Sequence, residues 1–475
     1  MTERIQTWDH QIPAIKFLND NKNTMLACIM GGGKSFMQIA NVKHIASHPG
    51  AKTLVLCPSA VMGVWRREFF LHATEQFDVL VLDKKSMNAS KKAQLIHEAF
   101  KVQQSHRRPL VVVINFESFW LPAIIKVLSA VVWDKIVADE IHRLKSHSAQ
   151  CSRHAWKLGW KAGSKTGLTG TPMPNDPGDI FAQYRFLDDR IFGRFWGKFK
   201  DHYAVMNKWI PQKVDKWINL EELHRKIDTI MYRIGSEVLV LPDKQDIMVE
   251  VNLSPAGYKI YAQMLKESMA LIERIVIDQD YNEDKEFHTA VGTNGAVQFL
   301  RLLQLAQGYV TDDEGDAVNT DTEKRKVLLD LIQDAGEPVC VYGWFKHDLA
   351  CVERCCEIAG LRYGELSGRR KDLTPHAKMP DDIDVMGVQC KSGSAGIDLT
   401  RARIGIILNS GLLSHGDFDQ MIARQYRPGQ TRNVVFYHLV SKRTVETKLI
   451  TERGKKRSIV DVLMTECKDI AEEVF

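Results

Sequence analysis

Two stretches of this chain alternate short apolar runs with helical patterns, and that alternation restricts the fold more than any other feature. In the first third, residues 24–30, 53–57, 79–82, 110–115, 135–138 and 166–169 have the length and apolar content of buried strands. Between them, residues 36–48, 60–72 and 91–104 repeat apolar side chains at helical spacing. Apolar runs joined by helices predict a parallel sheet covered on both faces, because a parallel crossover needs a helix-length connection. The alternation returns in the last third. Strands are expected at 339–342, 362–365, 385–388, 404–408 and 434–439, with helices at 347–359 and 417–424. The expected architecture is α/β, two parallel-sheet lobes in tandem with helical protrusions between them.

The middle of the chain reads differently. Residues 176–235 are rich in aromatic and basic side chains and show no run of alternating strands. Residues 256–278 and 296–305 read as helical, 247–253 as a strand, and the acidic, apolar-poor 311–322 as an exposed loop. The expected division is a first lobe at 1–190, a helical protrusion at 191–245, a linker strand with a second protrusion at 246–322, a second lobe at 323–460, and an acidic tail at 461–475.

Composition excludes several classes. Hydrophobic residues at 44% and charged residues at 26% are those of a soluble globular protein. No apolar run approaches the roughly 20 residues of a spanning helix, and the first ten residues lack a signal-peptide core. A cytoplasmic protein is expected. Cys28, Cys57, Cys340 and Cys390 lie in apolar runs and read as small buried hydrophobes of a reducing compartment. His347, Cys351 and Cys355 share a helix face beside Cys356, but supply only three of the four ligands zinc prefers, so a buried stripe is the better reading.

The chemistry concentrates at strand ends. Gly31-Gly32-Gly33-Lys34-Ser35 follows an apolar strand and opens a helix, the context of a phosphate-binding loop. Glycines let the backbone wrap phosphates, Lys34 would reach the β- and γ-phosphates of ATP, and Ser35 would bind Mg. Asp139 and Glu140 end a strand about a hundred residues later, where ligands of open α/β sheets sit. Asp139 would hold Mg, and Glu140 would deprotonate the attacking water. Thr169-Gly170-Thr171-Pro172 follows another strand and offers hydroxyls to the same edge. Far downstream, Gln420, Arg424 and Arg427 put two guanidinium groups one helical turn apart. A distant arginine pair suggests that a second domain completes the charge for phosphoryl transfer.

Net charge is only +5, but ten basic residues between 421 and 460, among them Arg424, Arg427, Arg432 and Lys442, face only Glu446 and Glu452. That excess suits contact with nucleic-acid phosphates. The aromatic set Phe192, Phe195, Trp196, Phe199, Tyr203 and Trp209 could form a strand-separating wedge, although the core of a helical protrusion is the simpler reading.

The ordered set of motifs resembles helicase superfamily two, and within it the Swi/Snf-like branch of DNA translocases. Leu241-Pro242-Asp243-Lys244 with Tyr258, and Thr444-Val445-Glu446, share the resemblance. The phosphate loop departs from the branch's usual form, with Cys28 where a glycine is common. The resemblance implies two RecA-like lobes and carries roles to matching residues. Gln11 would read adenine. Pro58 and Ser59, then Asn115, Phe116 and Glu117, would touch DNA. Ser392, Gly393 and Ser394 would touch DNA as well, with Gly396 and Asp398 toward the nucleotide. Gln420, Arg424 and Arg427 would form the arginine-finger element. The compact form resembles phage or bacterial members acting on branched or recombining DNA more than nucleosome remodellers. The expected function is an ATP- and Mg-dependent DNA translocase or helicase, monomeric and sequence-independent, on duplex, forked or branched DNA. An ATP-gated DNA clamp with vestigial hydrolysis and an RNA motor remain open as alternatives.

Overall fold

A computed structural model describes residues 7–452 other than 47, 74–76, 84–86, 175, 208–213, 267–296, 298, 312–315, 374–376, 391–396 and 410–414. It divides into two compact units, the first reaching Val240 and the second beginning at Leu241.

The first unit is built on strands β1 (Asn23–Cys28), β2 (Lys52–Cys57), β3 (Asp78–Val81), β4 (Leu110–Asn115), β5 (Lys135–Asp139) and β6 (Ser164–Thr169), with a hairpin of β7 (Ala204–Met206) and β8 (Val214–Trp217), and with β9 (Met231–Ile234). Its main sheet runs β3-β4-β2-β5-β6-β1-β9 and every pairing in it is parallel. Alternate side chains feed two cores on opposite faces. Leu54 and Leu56 of β2 enter one, Val55 and Cys57 the other. Each such buried aliphatic chain contributes about 1.5–3 kcal/mol, which is why the sheet is covered on both sides.

Six of these strands lie where the apolar runs placed them. The stretch expected to be helical departs from expectation at β9, which pairs in register with β1 from Met25↔Met231 to Cys28↔Ile234. It is a short edge strand with Tyr232 and Arg233 between buried Met231 and Ile234, so its apolar signal is too weak to read alone. The aromatic cluster is core: Phe192, Phe199 and Tyr203 are buried, and Trp196 stacks on Phe199 and on His147. Phe195 is the exception, 66% exposed. Trp209 lies outside the described residues.

The second unit contains β10 (Lys244–Val251), a hairpin of β11 (Tyr309–Thr311) and β12 (Ala317–Asn319), then β13 (Val339–Gly343), β14 (Tyr363–Leu366), β15 (Val385–Gln389), β16 (Ile404–Ile407) and β17 (Val434–Ser441). Its sheet, in the order β10-β17-β16-β13-β15-β14, is also parallel throughout. β10 pairs with β17 along all eight residues and so forms the sheet's edge. The hairpin occupies much of the segment expected to be a loop; strands of three residues carry too few apolar side chains to show periodicity. Cys355 and Cys356 pack in the core and His347 lies against Tyr309, with ring centroids 4.1 Å apart. That packing is the buried stripe the spacing suggests; among the described residues no group of three or more His, Cys, Asp or Glu could hold a metal ion. Among the described residues no helix is long and apolar enough to cross a membrane.

Candidate active site

The phosphate loop joins β1 to the helix Lys34–Ile45, whose N-cap is Gly33. Gly31 and Gly33 have φ of 83° and 85°, a left-handed backbone that side-chain-bearing residues resist. Space demands glycine here too, since a Cβ on Gly33 would collide with Nε2 of Gln11. Gln11 is buried; its Oε1 accepts from the Trp8 N–H at 3.0 Å and its Nε2 donates to Gly32 O at 3.4 Å. His10 Nε2 bonds the same carbonyl at 3.0 Å. Gln11 thus ties the N-terminal helix to the loop. Lys34 Nζ donates to Cys28 O at 2.9 Å, folding the ammonium back over the loop. Burial pushes the Cys28 thiol up to about 11 despite the nearby Lys34, so it is a packing group and no nucleophile.

Asp139 ends β5, and Glu140 follows with φ 53°, a left-handed conformation costing about 1–2 kcal/mol for a residue with a Cβ. Such strain gathers at functional sites, where the surroundings impose it. The turn aims the two carboxylates differently. Asp139 Oδ2 accepts from Trp65 Nε1 at 2.9 Å, whereas Glu140 Oε2 lies 3.3 Å from His142 Nδ1. Burial and the Glu140 charge push Asp139 up to about 6, against the pull of Trp65 and Lys34. Burial acts on Glu140 in the same direction but is outweighed by His142, Lys34 and Arg143, which hold it below the usual carboxylate range. The pair therefore divides labour: Glu140 stays ionised, and Asp139 is a carboxylate short of positive charge. That deficit fits a hard divalent cation, which commonly takes one or two protein oxygens along with phosphates, and Ser35 at the start of the loop's helix offers a hydroxyl.

The Thr169 turn joins this group. Thr169 Oγ1 accepts from the Thr171 N–H at 3.0 Å and is hydrogen-bonded to His142 Nδ1 at 3.2 Å. A Cβ on Gly170 would stand 3.6 Å from Cys28 O and 3.9 Å from the Lys34 ammonium. Phosphate loop, acid pair and threonine turn are thus one connected assembly. Sequence reasoning named its main residues but missed Trp65, which no local signal marks, and gave His142 no role although it closes the acid motif.

The expected DNA-contact positions emerge together, because β2 and β4 are neighbours and Cys57 pairs with Asn115. Pro58 and Ser59 start a short 3-10 turn, with Ser59 exposed. Asn115 Nδ2 donates to Glu117 Oε2 at 2.8 Å, and Asn115 Oδ1 accepts from Ser118. Lys92 reaches in from the helix Ala89–His106, donating to Ser118 Oγ at 3.3 Å. Phe116 is 3% exposed and packs in the core, so its ring anchors this loop.

In the second unit the helix His415–Ile422 ends before either arginine, which corrects the expectation that one helical turn aligns them. Gln420 sits in its last turn, half-buried. Arg424 and Arg427 lie on the turns that follow, and these are pinned by buried side chains. Tyr342 OH donates to Gln425 Oε1 at 3.0 Å. Gln430 Nε2 donates to Thr400 O at 2.9 Å, while its Oε1 accepts from the Thr431 and Arg432 N–H groups. Arg427 Nη1 donates to Ile397 O at 3.3 Å, and burial holds Arg424 below the usual arginine range. Asp398 is occupied as a turn cap, accepting from the Thr400 N–H at 3.0 Å and its hydroxyl at 2.6 Å. Ser392, Gly393, Ser394 and Gly396 lie outside the described residues. Of the basic stretch, Arg432 is paired with Glu337 and Lys442 with Glu250, which removes two of its cations from duty toward phosphates.

The profile of the SNF2-related domain matches residues 10–297. Over 96% of its length the chain is 22% identical to the CHD3-type chromatin-remodeling factor PICKLE of Arabidopsis thaliana. Over 94% it is 24% identical to the chromatin remodeling factor mit1 of Schizosaccharomyces pombe. It covers 34% and 32% of those proteins, and so spans about a third of the length of these curated relatives. The solved structure of the Sulfolobus solfataricus SWI2/SNF2 ATPase core in complex with dsDNA aligns with 100% of this chain and 97% of that one, at 21% identity and a TM-score of 0.44.

Proposed function

The chain belongs to the SNF2-related domain family, and from that premise we propose that it is an ATP hydrolase that translocates on duplex DNA. The observation that carries the reading is the linked assembly of Lys34, Asp139, Glu140, His142 and Thr169 at one edge of the first sheet. A clamp that only gated DNA would need the phosphate loop, but it would have no use for a strained, ionised glutamate beside it.

In this reading the Lys34 ammonium would leave Cys28 O for the phosphates of ATP, and Ser35 and Asp139 would hold magnesium. The bound ion would neutralise charge developing on the transferred phosphoryl group. Glu140, kept ionised by His142, takes the proton of the attacking water. Arg424 and Arg427 would supply the remaining positive charge for phosphoryl transfer. His142 touches both Glu140 and Thr169, so it carries word of the nucleotide toward the strand-end loops. There, Ser59, Asn115 and Lys92 meet DNA phosphates, contacts that carry no base information and weaken with salt. Forked and branched DNA, recombination or repair as the setting, and a monomeric cytoplasmic protein complete the proposal.

Steady-state hydrolysis with no polymer, single-stranded DNA, duplex, forked DNA and RNA tests it. Stimulation greatest with duplex or forks, and lost in Glu140→Gln, is the expected result. Equal rates with every polymer would leave an ATPase without a track, and stimulation by RNA alone would move the chain to the RNA motors.

A further inference from the structure

The first unit has a polar cavity at the opposite end of its sheet from the phosphate loop. It has a volume of about 540 Å³ and is lined by Lys22, Asn23, Trp160, Lys165, Arg185 and Arg194 among others. Asn23 opens β1 and Lys165 lies near the start of β6. Six residues of β1 separate this floor from the loop, about 17–20 Å at a strand's rise.

Its charges are unbalanced. The two acids of its wall are already taken: Asp188 is held by Arg190 through both oxygens, and Asp189 by Arg194 and the Trp156 indole. Lys165 is half-buried and drawn to Asp188 and Asp189, but its ammonium is in ion-pair contact with neither. Arg185 is 7% exposed and its guanidinium meets no carboxylate. It lies over the Trp156 ring at 4.7 Å, donates Nη2 to His147 O at 2.9 Å, and leaves Nε without a partner. A buried guanidinium with no carboxylate partner and an ammonium in no ion pair line the same cavity, and an anion there relieves both. Aromatic surface stands at the mouth. Trp160 is 55% exposed with Arg194 over its ring at 5.4 Å. Phe195, which follows Arg194 in the chain but does not line the cavity, is 66% exposed with Lys198 over its ring at 5.9 Å.

We propose that this cavity holds an unpaired nucleotide of a single DNA strand, its phosphate between Lys165 and Arg185 and its base against Trp160. The volume suits one nucleotide, and cations interleaved with exposed aromatic rings are the usual means of gripping single strands. The proposal goes beyond tracking on duplex, giving the motor a place to hold a strand freed at a fork or end.

The test is fluorescence anisotropy of a labelled eight-nucleotide oligothymidylate, with ADP present at saturation to fill the phosphate loop. Wild type, Trp160→Ala and Lys165→Gln are compared, with unlabelled thymidine monophosphate as competitor. Trp160 is exposed, so its removal leaves folding intact. The expected result is an affinity loss of about tenfold or more in each variant, consistent with the loss of one stacked base. Duplex-stimulated hydrolysis should remain at the wild-type level. Unchanged oligonucleotide affinity in both variants would overturn the proposal, as would thymidine monophosphate competing at concentrations equal to the oligonucleotide, which would mark a free-nucleotide pocket. Absence of duplex-stimulated hydrolysis in the wild type would instead count against the translocase reading and leave this binding result standing.

Discussion

Each unit buries a lysine completely, and the two are handled in opposite ways. Lys324 of the second unit sits against Glu446 at 2.7 Å, both side chains 4% exposed, and also donates to Leu408 O at 3.1 Å. Glu446 accepts from the Ser441 N–H at 2.9 Å and from Gln307, so a single carboxylate fastens the end of β17 to the helix Glu323–Asp334 and to the turn at Gln307. Lys135 of the first unit opens β5 with no partner for its ammonium, and burial alone pushes it down to about 7. One unit pairs its buried charge; the other leaves it unpaired and weakens the lysine's hold on its proton. The same contrast runs through the reactive residues. The first unit holds carboxylates at odds with one another, while the second holds its arginines on a turn stapled by neutral glutamines. Polar tension has gathered in the unit that carries the acid pair.

Four variants would break or sharpen that contrast. The largest effect belongs to Arg427→Ala, which should cut DNA-stimulated turnover by about 10³–10⁵-fold while nucleotide affinity stays within a few-fold. Comparing turnover with labelled-ADP binding checks both halves, and wild-type turnover would leave the arginine turn without a catalytic part. Glu140→Gln should lower turnover by about 10²–10⁴-fold with DNA affinity kept. If its rate instead matched the wild type, the acid pair would be structural.

Third, Glu446→Leu should destabilise the protein by about 3–5 kcal/mol, because it strands a buried ammonium. The double change with Lys324→Met should recover most of that loss in urea denaturation. A double variant as unstable as the single one would show that the pair itself, and not the stranded charge, holds the seam. Fourth, Lys135 implies a slope. Unfolded, it keeps its proton to about 10.5; folded, it loses it above about 7. Between those values the unfolded state binds more protons, so stability should rise with pH from 7 toward 10 by roughly 1 kcal/mol per pH unit. Lys135→Met should remove that slope and be the more stable protein at pH 7. A slope unchanged by the substitution would mean that the lysine reaches solvent.

Much of the fold and of the nucleotide-binding edge is legible in the sequence. Buried parallel strands are continuous apolar runs, and six in the first sheet declare themselves that way; β9 and the β11–β12 hairpin do not, being short and half-polar. The phosphate loop, acid pair and threonine turn could be named because chemistry at a strand's end needs particular residue types at fixed spacing. The alignment of Arg424 and Arg427 was misjudged for a physical reason: spacing of three implies one face only while the helix lasts, and this one stops at Ile422.

The sequence by itself thus determined the sheets, their order of chemistry along the chain, and the residue types at the nucleotide-binding edge, all of which are local and periodic. Only the tertiary structure decided which partners those residues meet. Trp65 reaches Asp139 across 74 positions, Thr169 meets His142 across 27, and Lys324 finds Glu446 across 122. No local pattern encodes contacts at such separations, because they arise when strands pair and bring distant loops to the same edge. Those contacts then fix which carboxylate stays charged and which lysine goes without a partner.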